Sequence, residues 1–300
     1  AYRVKSAYYE YYYLRRSLAV TEENLVLLRG LEEAARTKYE SGIATQAAVL
    51  RFQVDIGRVE DQLRSLRDLQ GPLAGKLNAA MNRAVEAPLA WPEALPEAEA
   101  EFAEEELLEA LGSSNPDLAA LEAEIEKTRK ERELAKKNYY PDFMLGVTYM
   151  DTRESSMPGT MSENDLLEGM VGITLPIQVE KYRAAEREAY FAYQAAVQAR
   201  AEQEKSLGAD LRVTIYEYRD AVRKIDLYRN GLLPKAEQAL QVVQQEFATG
   251  EGQSLDLIDA VRMLLEFQLE YERAKVDKQL KIAEIERITG RPAGGVKTES

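Results

Sequence analysis

Asp256 and Asp259 stand three residues apart in the stretch FATGEGQSLDLIDAV, residues 247–261. On a helix that spacing puts both carboxylates on one face. The plainest account is solvation, because acidic side chains suit the first turns of a helix, where the macrodipole is positive. An acid–base pair of the glycosidase kind is the catalytic alternative. The rest of the chain argues against catalysis. Its 300 residues contain no histidine and no cysteine. The commonest general base, the commonest transition-metal ligand and every thiol nucleophile are therefore missing. No phosphate-cradling glycine loop and no nucleophile elbow occur. Met150, Met157, Met161 and Met170 surround one loop, but methionines without Cys or His read as packing rather than soft-metal ligands. The sequence reads as a non-enzyme with no cofactor and no metal site.

Charge narrows the partners. Lys and Arg number 39 against 52 Asp and Glu, a net charge of −13. That disfavours nucleic acid, whose backbone needs clustered cations. No run of 18 apolar residues exists, so no helix is expected to span a bilayer. The opening AYRVKSAYYEYYY has no signal-peptide apolar core.

The elements that must position the two aspartates follow from periodicity. Residues 1–84 read as a helical hairpin broken at YESGIAT, with Gly42 just past a helix end and Thr45 capping the next. Tyr8, Tyr9, Tyr11, Tyr12 and Tyr13 are assigned to helix packing and barrel lining. Residues 85–114 form an irregular connector holding Pro88, Pro92 and Pro96, with Trp91 packing it onto the helices and a short helix at 104–111. Asn115 and Pro116 suit the N-cap and first position of a helix within 115–140, which stops before Pro141.

Period two replaces the helical period at 141–177. Phe143, Leu145, Val147 and Tyr149 alternate with other residues in one run, and Val171, Ile173, Leu175 and Ile177 in a second. Each run is long enough to cross an outer-membrane-type bilayer when tilted, and equally suits a soluble hairpin with one buried face. Residues 152–168 between them are polar. Residues 178–290 return to helix, with a kink expected at Pro234 and a turn at Gly250 and Gly252. Leu207, Leu211, Ile215, Tyr218, Val222 and Ile225 form one stripe. Ile258, Val261, Leu265, Leu269, Val276 and Leu280 form another, interrupted by Glu272. Residues 291–300 are expected to be disordered. The fold class is mainly α: two long helical hairpins of the coiled-coil, α-barrel type, with one β-hairpin.

The chain also repeats itself. A shift of 208 residues brings Tyr8 onto Tyr216, Leu25 onto Leu233, Tyr39 onto Phe247, Gly42 onto Gly250, Val49 onto Leu257 and Leu50 onto Ile258 without a gap. The second copy is preceded by the Asn-Pro helix and the strand pair. The matching unit for the first copy would start roughly 90 residues before residue 1, so a longer parent sequence is expected.

These features together resemble the TolC-like outer-membrane efflux proteins. The resemblance rests on Asn115-Pro116-x-Leu118, NYYPDF at 138–143, the strand pair ending in ITLPI, the YESG and FATG turns, Leu232-Leu233-Pro234, and the closing ITG at 288–290. It extends over nearly the whole chain. It implies a homotrimer whose strands build one shared β-barrel in the Gram-negative outer membrane, with a helical barrel crossing the periplasm. It implies a passive duct that meets a periplasmic adaptor and an inner-membrane transporter. It assigns Phe143, Leu145, Val147, Tyr149, Val171, Ile173 and Leu175 to outer-membrane lipid, and Tyr39, Gly42, Phe247 and Gly250 to the tip turns. It makes Asp256 and Asp259, six and nine residues past Gly250, an acidic gate at the periplasmic tip. The first repeat carries Ala48 and Arg51 there, which confines the role to one repeat. The alternative is a periplasmic coiled-coil adaptor or scaffold without channel activity. Adaptors add many short Gly-rich strands, which this chain lacks.

Overall fold

A computed structural model describes residues 1–96, 103–150 and 166–292. Met157, Met161, most of the polar loop and the tail from 293 lie outside the described residues. The elements are α1 (Tyr2–Glu40), α2 (Gln46–Asp68), α3 (Gln70–Ala80), α4 (Glu104–Ser114), α5 (Pro116–Lys137), β1 (Asp142–Met150), β2 (Leu166–Thr174), α6 (Val179–Asp226), a π-helical turn (Leu227–Leu232), α7 (Leu233–Thr249) and α8 (Ser254–Thr289). They form two compact units, residues 1–115 with 207–300, and residues 116–206.

The first unit is helical. α1 lies against α2, α3 and α8, and α7 lies against α8. Near the hairpin turns Leu28, Ala35, Phe52, Val59, Leu240, Phe247, Leu257, Ile258 and Val261 form one buried cluster. Each fully buried Leu, Ile or Phe there is worth about 2 kcal/mol in apolar area removed from water. Further along α1, Tyr9 and Tyr12 pack on Val276 and Ala283, while Ala7, Tyr11 and Leu14 pack on Leu77. The expected packing role of Trp91 is visible here. Its ring stacks on Tyr11 at 4.6 Å between centroids, and Arg15 donates to the neighbouring Pro92 carbonyl.

Several sequence expectations change at this level. The first hairpin is not helical through to residue 84. α2 stops at Asp68, because Pro72 has no N–H to donate to the Asp68 carbonyl; Pro72 instead sits in the first turn of α3, where that N–H is not needed. α3 ends at Ala80 and Asn82 turns the chain with φ 57°. Pro234 does not simply kink its helix. The turn just before it, Leu227–Leu232, widens to π geometry, which makes room for the proline ring one residue into α7. On the α6 stripe Leu207, Leu211 and Ile215 are buried, but Val222 is exposed and Ala221 is buried in its place. On α8 the polar exception Glu272 is itself buried, held by Arg16 at 3.0 Å and Lys275 at 2.7 Å.

The second unit holds α5, the two strands and the start of α6. α5 and α6 meet through long side chains: Arg200 to Glu122 at 2.8 Å, and Tyr139 to Glu186 at 3.2 Å. The expected single hairpin at 178–290 is thus divided within α6, since residues up to 206 share partners with α5 and later ones belong with the first unit. The strands pair antiparallel, with Phe143 opposite Ile173, Leu145 opposite Val171, Val147 opposite Gly169 and Tyr149 opposite Leu167. Directly opposed residues share a face, so the alternating apolar set lies on one side. The other side carries Met144 over Gly172, Gly146 under Met170, and Thr148 beside Glu168. The second strand starts at Leu166, five residues before Val171, and stops at Thr174. Pro176 cannot donate to a ladder, so Leu175 and Ile177 lie beyond it.

Two kinds of glycine matter. Gly42 and Gly250 adopt φ +75° and +89°, the left-handed geometry that closes both helical hairpins. Gly290, at φ +70°, ends α8 against the end of α4: an added Cβ would lie 2.1 Å from the Ser114 carbonyl oxygen. Asn115, in extended backbone just before Pro116, seals the same junction by donating to the Ile288 carbonyl at 2.6 Å. Replacing Gly290 by Ala is expected to cost about 3 kcal/mol in thermal or denaturant unfolding. Gly208→Ala, with open space at its Cβ inside α6, is expected to stabilise by about 0.5 kcal/mol.

Candidate functional site

The two turns of the helical unit lie side by side. At the first, Ser41 and Gly42 close α1, and the Thr45 hydroxyl accepts the Ala48 N–H at 3.3 Å to start α2, the cap expected from sequence. At the second, Glu251 and Gly252 both donate to the Glu246 carbonyl at 3.0 Å before α8 begins. Lys38 joins them. Its ammonium donates to the Phe247 and Ala248 carbonyls at the end of α7 and sits 4.8 Å over the Phe247 ring. A cation there complements the negative end of the helix dipole. Phe247 stands edge-on to Phe52 at 6.3 Å and is buried. Its repeat counterpart Tyr39 is exposed, so the aligned aromatics have different jobs. Lys38, Thr45, Arg51, Phe247, Gln253 and Ser254 line a cavity of about 280 Å³ between the turns.

One turn into α8 the two aspartates share a face, and both are exposed. Asp256 lies in the first turn and has no basic partner among the described residues. Asp259 differs: Arg262 approaches it at 3.4 Å. The same guanidinium reaches across to α2, where its Nη2 and Nε donate to Asp55 Oδ1 at 2.5 and 3.2 Å. The Asp55 side chain is only 7% exposed, with Arg58 as a second cation at 3.7 Å. Arg262 therefore ties the acidic face of α8 to the buried wall of α2, and it offsets the charge of Asp259 but not that of Asp256. A latch of the same kind joins α1 and α2: Arg36 and Gln53 both donate to Glu32 and hold its carboxyl below the usual range.

Sequence reasoning found Asp256 and Asp259 but missed Asp55 and Arg262. The Asp259–Arg262 spacing was legible. The pairing with Asp55 spans 207 residues and depends on how far two helices slide along each other. The strand residues Phe143, Leu145, Val147, Tyr149, Val171 and Ile173 share one exposed face, from 58% for Tyr149 to 82% for Leu145. Leu175 is exposed too, outside the ladder. No group of three or more carboxylates poised for a metal occurs among the described residues.

An apolar face that large is unusual for a finished surface. The comparisons with known proteins give it a context. The family model described as "Outer membrane efflux protein" matches residues 107–291. No curated protein matches the sequence. Among solved structures, the outer membrane protein VceC of Vibrio cholerae is 18% identical with a TM-score of 0.82, over 98% of this chain and 70% of that one. A membrane protein of Pseudomonas aeruginosa reaches 0.84 at 18% identity, over 100% and 68%. The open state of the MtrE outer membrane channel of Neisseria gonorrhoeae reaches 0.78 at 18%, over 97% and 66%. At these identities the likeness establishes the fold. The chain spans about two thirds of the length of each.

The Arg262 bridge makes a direct prediction. Arg262→Met is expected to cost about 2 kcal/mol in denaturant unfolding, because it leaves the buried Asp55 with the exposed Arg58, at 3.7 Å, in place of a hydrogen-bonded guanidinium. Arg262→Met with Asp55→Asn should recover most of the loss. An unchanged loss in the double variant would mean that the pair is not what holds α2 to α8.

Proposed function

The chain belongs to the outer membrane efflux protein family, and on that premise we propose that it forms part of a passive export duct, opened at the hairpin tips by partner proteins. Its place is the outer membrane of a Gram-negative cell, with the helical part in the periplasm. The observation that carries the reading is the strand pair. It offers one continuous apolar face, Phe143 to Tyr149 on β1 and Leu167 to Ile173 on β2, and a mixed face opposite. This is the alternation of a membrane barrel. Two strands have two open edges, and unpaired backbone groups cost several kcal/mol each in hydrocarbon. Closure therefore demands further strands, and a homotrimer sharing one barrel meets the demand.

In this reading the tips are the gate. Copies of α8 converge on the axis, and Asp256 and Asp259 form an acidic ring that gathers cations and repels anions. The support is local: both carboxylates are exposed on one face, and only Asp259 is offset by Arg262. Asp256 then contributes more of the ring's field. The Arg262–Asp55 bridge holds α8 against α2, so opening requires either moving both helices together or breaking a largely buried ion pair. A periplasmic adaptor engages the paired turns, and an inner-membrane transporter supplies the driving force. The cargo is selected by that transporter, since nothing at the tip is built to bind one.

Single-channel conductance of the trimer in a planar bilayer tests this. The parent should conduct, favour cations and be blocked by millimolar divalent cation added at the tip side. Asp256→Asn should relieve selectivity and block more than Asp259→Asn. Identical behaviour of both variants and the parent would return the aspartates to the role of helix-start acids. Trimers that never conduct would favour a scaffold.

A further inference from the structure

Positive charge is concentrated where the helices approach the strands. The protein as a whole is acidic, yet residues 127–140 carry six Lys or Arg against two Glu. Part of this charge is neutralised locally, as in Lys127–Glu124, Arg129–Glu126 and Lys130–Glu133 on α5 and Arg183–Glu180 on α6. The remainder is not. Among the described residues Arg132, Lys181 and Arg187 have no carboxylate ion pair, Lys136 feels Glu133 without a direct ion pair, and Lys137 has the Tyr140 ring at 5.6 Å.

Three guanidinium groups converge here. Arg132 from α5 and Arg183 and Arg187 from α6 line a cavity of about 420 Å³ with Glu186, Tyr190 and Phe191. Arg132 stacks over the Tyr190 ring at 5.1 Å, yet its Nε is buried and has no hydrogen-bond partner. A buried donor without an acceptor costs about 1–3 kcal/mol, so an anion placed there would relieve a standing penalty. Glu186 is the one carboxylate in the wall and accepts from the Tyr139 hydroxyl at 3.2 Å; counting Glu186 and the Glu180 paired with Arg183 against the three guanidinium groups still leaves the site positive. Phe191 supplies an apolar side, 65% exposed.

The geometry points to a headgroup site: Arg132, Arg183 and Arg187 bind the phosphate of an anionic phospholipid in the periplasmic leaflet. The placement at the leaflet, though not the phosphate binding itself, rests on the strands crossing the membrane. The three arginines then lie within about 12 Å of the helix ends that meet the strands, within reach of the headgroup layer for side chains that extend along apolar surface. Guanidinium forks match phosphate oxygens in pairs, which a point-like ammonium does not. Tyr139, Tyr140 and Tyr182 surround the same level, as amphipathic rings do at an interface. The site anchors the helical part to the leaflet while the strands anchor it to hydrocarbon.

Two arms test the proposal and separate it from the duct reading. In the first, short-chain phosphatidylglycerol below its micelle concentration is titrated into the whole protein, beside phosphatidylcholine of the same length and inorganic phosphate. Phosphatidylglycerol should bind and weaken with salt. The variant Arg132→Gln, Arg183→Gln, Arg187→Gln should lose about tenfold or more, while the charge-matched Arg64→Gln, Arg67→Gln, Lys76→Gln should not. Equal binding of phosphatidylcholine, an unaffected triple variant, or inorganic phosphate binding as tightly would overturn the headgroup site. In the second arm, vesicle flotation compares phosphatidylcholine alone with a mixture containing about one fifth phosphatidylglycerol. The triple variant should lose only the preference for the mixture, and Val147→Glu with Val171→Glu should float with neither. A parent that floats with neither, but still binds the short-chain lipid, would remove the duct reading and leave the headgroup site standing.

Discussion

The seam between α1 and α8 is what the helical unit depends on, because it is where the two repeats meet. Its ends are apolar. Near the turns Leu28 and Ala35 pack with Leu257, Ile258 and Val261, and further along Tyr9 and Tyr12 pack with Val276 and Ala283. Its middle is polar: Ser17, Thr21 and Asn24 are buried on α1, and Asn24 is the one of the three that bonds across to α8 among the described residues. Asn24 donates from Nδ2 to the Gln268 side-chain oxygen at 2.8 Å, and Arg16 donates to Glu272 at 3.1 Å. The apolar ends supply the driving force, which is indifferent to small slides along the axis. The polar middle is not indifferent, since Asn24 must lie opposite Gln268 and Arg16 opposite Glu272. Buried polar pairs of this kind contribute little stability but can set register. The register they set decides that Arg262 reaches Asp55, and so what the acidic face of α8 is tied to.

A second constraint comes from the backbone. Helices satisfy their own N–H and C=O groups, so the helical unit is complete in one chain. The strand pair is not: every outward backbone group on its two edges needs a partner or water. Its apolar face points off the sheet, while its unpaired backbone groups lie in the sheet plane at the two edges. The proposed headgroup site follows the same physics at the ends of α5 and α6: tyrosines and arginines suit the level where an apolar band stops.

The internal repeat conserves shape more than chemistry. Gly42 and Gly250 share left-handed geometry, and Val49 and Leu257 are both buried. Leu50 is half exposed where Ile258 is buried, and Tyr39 is exposed where Phe247 is buried. Turn geometry is set by a few neighbouring residues and survives duplication. Burial is set by whatever lies alongside, and the two hairpins have different neighbours. That is why the repeat could be read from the sequence while the roles of its matched residues could not. The acidic pair was likewise visible as a spacing, but the unequal standing of Asp256 and Asp259 was not, because it depends on one arginine reaching to another helix.

What the sequence determined by itself is local and periodic. Apolar spacing specified long helices, alternation specified the strand pair and its apolar face, and Gly42, Thr45, Asn115-Pro116 and Gly250 marked the breaks. The absence of histidine and cysteine removed imidazole and thiol chemistry. Tertiary structure decided the rest: the Asp55–Arg262 bridge, the burial of Glu272, the division of α6 between two units, the strand limit at Thr174, and the meeting of Arg132 with Arg183 and Arg187. Each depends on the axial offset between elements far apart in sequence. A repeating apolar stripe looks nearly the same at every turn and so leaves that offset open; only the specific side chains that meet across the seam close it.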